Sequence, residues 1–170
     1  MKPRMALLVS MIFAAAALRL LPHPSNFEPI GALALFAGAH LEKRRAFLIP
    51  ILAMLLSDAV IGFHSQLPLV YSAFGLIACM GFSLKGRVTA SAVTLSAFAA
   101  SLLFFAVTNL GVWAFDSLYP HTMTGLIACY VAALPFFANS VAGTLFYSAV
   151  LFGGFALAER KLPAFAPAQG

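Results

Sequence analysis

Charge is what this 170-residue chain has least of: Asp, Glu, Lys and Arg together make up 9% of it, and only five of those residues are acidic. Soluble domains are usually about a quarter charged. A single core of this size cannot hide a 62% hydrophobic composition, so a water-soluble fold is excluded. Cysteine is nearly absent too. Cys79 and Cys129 lie in apolar runs and form no CxxC pair, which argues against a disulfide framework or a zinc site. There is no GxSxG, HExxH, P-loop or glycine-rich dinucleotide fingerprint, so no enzyme activity, cofactor or ATP site is expected. No linker, repeat or low-complexity tract divides the chain, which reads as one membrane domain over residues 1–170.

What charge there is carries information. The formal net charge is +5. The basic residues form four clusters at the ends of apolar segments: Lys2 and Arg4, Lys43 to Arg45, Lys85 and Arg87, and Arg160 and Lys161. That placement sets orientation in a membrane and does not build a nucleic-acid face. Only Arg19 stands apart. Apolar stretches long enough to cross, about 17 to 25 residues, cover residues 5–21, 46–63, 67–84, 88–115 and 140–158. Two shorter ones cover 29–41 and 123–137. If 29–41 crosses and 123–137 does not, all four clusters fall on one side, the cytoplasm. The expectation is an all-α bundle of six transmembrane helices with both termini cytoplasmic, in a bacterial inner membrane. Lys2, Arg4 and the alanines at 14–17 also fit a signal peptide, but an uncleaved first helix completes the topology.

Segment 29–41 would rise about 20 Å, short of about 30 Å of hydrocarbon. The preceding stretch "RLLPHPSNFEP" must therefore dip inward to meet it. Irregular backbone at that depth survives only when buried in protein or lining a wet cavity, and transporters build substrate sites from such interrupted helices. This stretch, with Arg19, His23 and Asn26, is the expected floor or wall of an outward-facing pocket. Segment 123–137, with both ends outside, reads as a re-entrant or surface-lying piece between the fifth and sixth helices, either a lid on that pocket or a packing loop.

The remaining polar residues concentrate on the same outer half. Asp58 lies about 9 Å below the outer end of its helix at about 1.5 Å per residue. A carboxylate there requires a partner, and Arg19 is the one basic residue on that side. The pair is either architectural or part of a ligand site. Tyr71, across a tight hairpin, is placed to face Asp58; an interfacial anchor is the alternative. Asn109 and Trp113 line the outer end of the fifth helix, and Asn139 opens the sixth. Cys79 reads as a small buried hydrophobe.

The motifs "RLLPHPSNFEPIGALALF" and "LLSDAVIGFH", with "TNLGVWAFDSLYPH" and "LFGGFALAER", resemble a family of small bacterial membrane proteins. That family is grouped with the substrate-binding S components of energy-coupling-factor (ECF) vitamin transporters. The resemblance implies a six-helix vitamin-binding fold whose pocket is covered by outer loops. Its nearest functional relatives are solitary cobalamin S-component-like proteins, some of which ligate cobalt through a membrane-embedded cysteine. No cysteine stands securely at that place here; Tyr71 occupies it, and His23 becomes the metal-facing candidate by analogy, with no metal site assigned. S components dock on an energising module through small residues on the first helix, where this chain has Ala6, Ser10 and Ala14. The expected function is uptake of a vitamin-sized molecule, with a corrinoid as the best single guess. The competing expectations are a structural or accessory membrane subunit without a small-molecule ligand and, on Cys79 and His23 alone, an intramembrane enzyme.

Overall fold

The shortest apolar helix forms the centre of the bundle. Ile30–His40 is helical, and every residue from Ile30 to Ala39 is buried, because apolar neighbours surround it on all sides. The structure is a computed structural model that describes residues 3–165. In chain order the helices are α1 (Pro3–Leu18), α2 (Ile30–His40), α3 (Lys43–Ile61), α4 (Leu67–Gly81), α5 (Ala90–Phe115), α6 (Met123–Ser148) and α7 (Gly154–Lys161). A 3₁₀ turn, Phe82–Leu84, extends α4, and a π-helical turn, Ala149–Gly153, joins α6 to α7 without a break. There is no strand among the described residues. Thr89 and Thr122 cap α5 and α6, each hydroxyl accepting a backbone N–H three residues on at 3.2 Å, which satisfies a donor left over at a helix start.

Among the described residues, three helical stretches are long and apolar enough to cross a membrane: Leu67–Leu84, Ala90–Phe115 and Met123–Lys161. Exposure patterns agree with an apolar solvent. Leu48, Leu52, Leu55, Leu56 and Val60 of α3 are exposed, as are Leu95, Phe98 and Leu102 of α5. In water a helix turns its apolar stripe inward; α3 and α5 turn theirs outward as well.

The expected re-entrant or lid segment at 123–137 does not exist as a separate piece. It is the first half of α6, which runs unbroken through Pro135. Pro135 forfeits one backbone hydrogen bond, but the residue is exposed and its ring displaces no core packing. Aromatic contacts with α5 hold this half of α6 in place: Phe105 lies 5.4 Å from Tyr130 and 4.9 Å from Phe137, centroid to centroid.

The basic clusters meet at one end. Arg4 pairs with Glu159 at 2.7 Å, so the start of α1 and the end of α7 share a level. Arg4, His40, Gly86 and Arg160 line one cleft there, and α3 starts with Lys43 three residues after His40. At the opposite, far end, α2 stops early. Gly143 of α6 is a point of close approach for the loop before α2: a Cβ there would sit 3.0 Å from the Glu28 backbone nitrogen. The loop therefore rests near the middle of the continuous Met123–Lys161 stretch, while α4, α5 and the first half of α6 rise above it as walls.

Candidate functional site

Behind this loop sits a charged clamp. Arg19 follows α1 directly, and its Nη1 lies 2.7 Å from Asp58 Oδ1 and donates to Ser57 Oγ at 2.6 Å. Its Nε donates to Glu28 Oε2 at 3.3 Å. Tyr71 Oη donates to the other carboxylate oxygen, Asp58 Oδ2, at 2.6 Å. Asp58 is 1% exposed with both oxygens engaged. One buried anion thus ties α1, α3 and α4 together, and Arg19 extends the tie to the loop through Glu28. Two carboxylates face one guanidinium, so the clamp carries a surplus negative charge on the Glu28 side.

Two adjoining chambers open above the clamp. The first, about 210 Å³, is lined by Arg19, Asn26, Glu28, His64, Ser140 and Thr144. The second, about 220 Å³, is lined by Asn26, Gln66, Thr108, Asn109 and Phe137. Asn26, Val70, Phe104 and Ser140 belong to both, so a shared wall separates them and small displacements would merge them. Gln66 Oε1 is buried and has no hydrogen-bond partner. Orphaned buried acceptors are rare and costly, at about 1–3 kcal/mol; here a ligand's donor would satisfy one.

Asn26 is held in place by backbone conformation. Its φ is 62°, the one non-glycine residue with positive φ among those described. The Phe27 N–H closes the turn onto Pro24 O at 3.0 Å, which asks for Gly or Asn at the third position. Asn139 Nδ2 donates to Ser25 O at 3.0 Å and moors the turn to α6. Asn26→Ala should lose about 1–2 kcal/mol from the left-handed backbone alone. Asn26→Gly should keep the fold and lose only the amide facing the chambers. Paired melting and ligand-binding curves of the two variants separate these effects; equal stability would refute the strained-turn account.

The structure sorts the residues expected at the site into three groups. Arg19, Asn26 and Asn109 line the chambers. Asn109 Nδ2 donates to Phe105 O of its own helix at 2.8 Å. Asp58 and Tyr71 stand behind the wall, where Val70 takes the lining position. Asn139, Trp113 and His23 act on the backbone: Asn139 moors the loop, and Trp113 Nε1 donates to Pro120 O at 3.1 Å across the α5–α6 turn. His23 Nδ1 lies 3.0 Å from Pro24 O. Glu28, His64, Gln66, Ser140 and Thr144 line the chambers without having been expected there. Glu28 sits within the dipping stretch, and Ser140 and Thr144 are four apart on one face of α6; both were signals. Cys79 is exposed and not the buried hydrophobe expected, whereas Cys129 is buried, its thiol donating to Asn109 O at 3.5 Å. No three His, Cys, Asp or Glu side chains come together to hold a metal among the described residues.

A family model described as a family of unknown function, DUF6580, matches residues 1–165. The chain belongs to this family. No curated protein and no solved structure matches it. The family match takes in the clamp, both chambers and the basic end, so these features all lie inside the DUF6580 region.

Proposed function

We propose that this DUF6580 protein is a substrate-capturing membrane transport protein that takes up a vitamin-sized molecule, and that it is a carrier and not an enzyme. The observation that carries this is the pair of adjoining chambers floored by a loop at mid-depth, one of them lined by Gln66, whose buried Oε1 has no partner. Phe104 and Phe137 offer apolar walls, and Asn26, Asn109, Glu28 and Arg19 converge as polar groups. That mixture is the usual make-up of a small-molecule site. In this reading α1 to α5 each cross once and α6 with α7 forms a single sixth crossing. The even number agrees with the Arg4–Glu159 contact between the two ends of the chain. The basic end is cytoplasmic, the chambers open outward, and the membrane is the bacterial inner membrane.

The resemblance to ECF S components favours a corrinoid. A macrocycle fills neither chamber alone, so it requires the two to merge and the 19–29 loop to lift; smaller vitamins need less. On α1, Leu8, Ile12, Ala15 and Ala16 are buried while Ser10 and Ala14 are exposed and Ala6 is half-buried. The small-residue face of Ala6, Ser10 and Ala14 is thus left uncovered by the chain's own helices, as docking on an energising module would require. The saturation of Asp58 favours a second reading, an accessory subunit in which the clamp is purely architectural.

Thermal stability of the detergent-purified protein, measured across a vitamin panel that includes cobalamin and cobinamide, decides between them. A true ligand at a hundredfold excess over its dissociation constant should stabilise by about 2.7 kcal/mol. The shift should disappear in Asn26→Gly and Gln66→Leu. A flat panel selects the accessory subunit.

A further inference from the structure

We propose that the basic end of the bundle holds a second binding site, a water-filled vestibule for a small anionic solute, built around Ser148, His40 and Arg160. It is independent of whatever the far-end chambers bind.

A cleft of about 370 Å³ lies between the start of α5 and the π turn, lined by Thr89, Thr94, Leu145 and Ser148. It shares Val88, Phe152 and Ala156 with a cleft of about 560 Å³ lined by Arg4, His40, Glu159 and Arg160. Each holds a buried polar atom without a partner: Ser148 Oγ in the first and His40 Nε2 in the second. Ser148 is 2% exposed. Its hydroxyl is fully buried as well as unpartnered. Ser57, Ser72, Ser101 and Thr108 all donate to a carbonyl three or four residues back in their own helices, the ordinary fate of a helical hydroxyl. Ser148 does not, and the helix widens into a π turn directly after it, a feature found disproportionately at functional sites. His40 is packed among rings, 4.8 Å from Phe36 and 4.7 Å from Phe155 by centroid, with no protein acceptor or donor for Nε2. Leaving two such atoms dry is costly; water or a polar solute entering from the basic end relieves both.

The charge at the mouth selects the sign of that solute. Arg4 is paired with Glu159, whereas Arg160 makes no ion pair among the described residues. The second cleft therefore carries surplus positive charge, opposite to the Glu28 side of the clamp. Ser140 and Thr144 line the far chamber and Ser148 lines the vestibule, so hydroxyls four apart join the two cavities along one face of α6. The last two are separated by about 6 Å of helix rise.

Cysteine accessibility in the full chain tests the vestibule. In a Cys79→Ser, Cys129→Ala background, Ser148→Cys is exposed to charged methanethiosulfonates in right-side-out and inverted membrane vesicles. The probes are the anionic sulfonatoethyl and the cationic trimethylammonium-ethyl reagents. The expected result is reaction from the basic side only. The anion-to-cation rate ratio, normalised to a free thiol, should rise about tenfold and fall back in Arg160→Gln. Thr94→Cys, on the same cleft, serves if Ser148→Cys fails to fold. Reaction only with a neutral, membrane-permeant maleimide would mean that a lipid chain fills the cleft, and would overturn the proposal. So would reaction from the far side, or reaction without charge preference. None of these readouts needs a ligand in the far chambers, so a flat vitamin panel leaves the test intact.

Discussion

Asp58→Ala is expected to destabilise the protein by about 3–5 kcal/mol, the cost of stranding a buried charge. Arg19 has a side-chain exposure of 6% and its closest anionic partner is Asp58 at 2.7 Å. Glu28, at 3.3 Å and with a side chain 30% exposed, is too solvated to replace it. Glu28→Gln should accordingly cost no more than about 1 kcal/mol, as for exposed pairs. Tyr71→Phe removes the donor to Asp58 Oδ2 and should fall between, at about 1–3 kcal/mol. The double variant Arg19→Met, Asp58→Leu is expected to recover most of the loss, because an apolar pair carries no desolvation penalty. Denaturant unfolding in micelles, with monodispersity by size exclusion, gives the order directly. Asp58→Ala within about 1 kcal/mol of the parent would show that the clamp does not hold α1, α3 and α4 together. The same series bears on function: since Asp58 lines no chamber, the folded double variant should retain the polar lining apart from Arg19.

Some of this was legible in the residues. Arg19 is the one basic residue outside the four clusters and Asp58 the one deep carboxylate, so their pairing follows from scarcity and from the depth at which each must sit. Tyr71 lies thirteen residues on, across a hairpin, and its meeting with Asp58 follows from helix rise. The dipping loop was legible because α2 is too short and the prolines before it forbid a longer helix. What was hidden depends on tertiary contacts. Pro135, with Asn139 close behind, looks like a helix break, yet the edge-on and tilted contacts of Phe105 with Tyr130 and Phe137 keep α6 whole. Ser140 and Thr144 resemble any helical hydroxyls that bond their own backbone, and only the position of the loop turns them toward a cavity. A carboxylate in a membrane helix defaults to a functional role; the two donors that satisfy Asp58 become visible only in the assembled bundle.

The second large effect concerns the crossing of α2 and α4, and here the expected sign depends on which glycine is changed. At Gly81 a Cβ would lie 2.6 Å from Leu35 O and 3.0 Å from Gly38 Cα; at Gly38 it would collide with Ala78 O and lie 2.8 Å from Gly81 Cα. Backbone atoms cannot swing aside, so the helices must separate. Alanine at Gly81 gains about 1 kcal/mol of helix propensity but overpacks the crossing, and should be destabilising by about 1–3 kcal/mol. Gly38→Leu, on a helix buried from Ile30 to Ala39, should prevent assembly outright. Gly75 is the internal control: it lies on α4 too, with nothing within 4 Å of an added Cβ. Gly75→Ala should therefore stabilise by about 0.5–1 kcal/mol. If Gly75→Ala and Gly81→Ala shift the unfolding midpoint in the same direction, the close crossing is refuted. The crossing also reaches the chambers. α2 begins where the loop ends, and Gly31 sits against Thr144, with 3.0 Å from an added Cβ to Oγ1. Pushing α2 away from α4 drives its first turn into the first chamber's wall. A folded Gly38→Ala protein should therefore bind ligand more weakly even though Gly38 lines neither chamber.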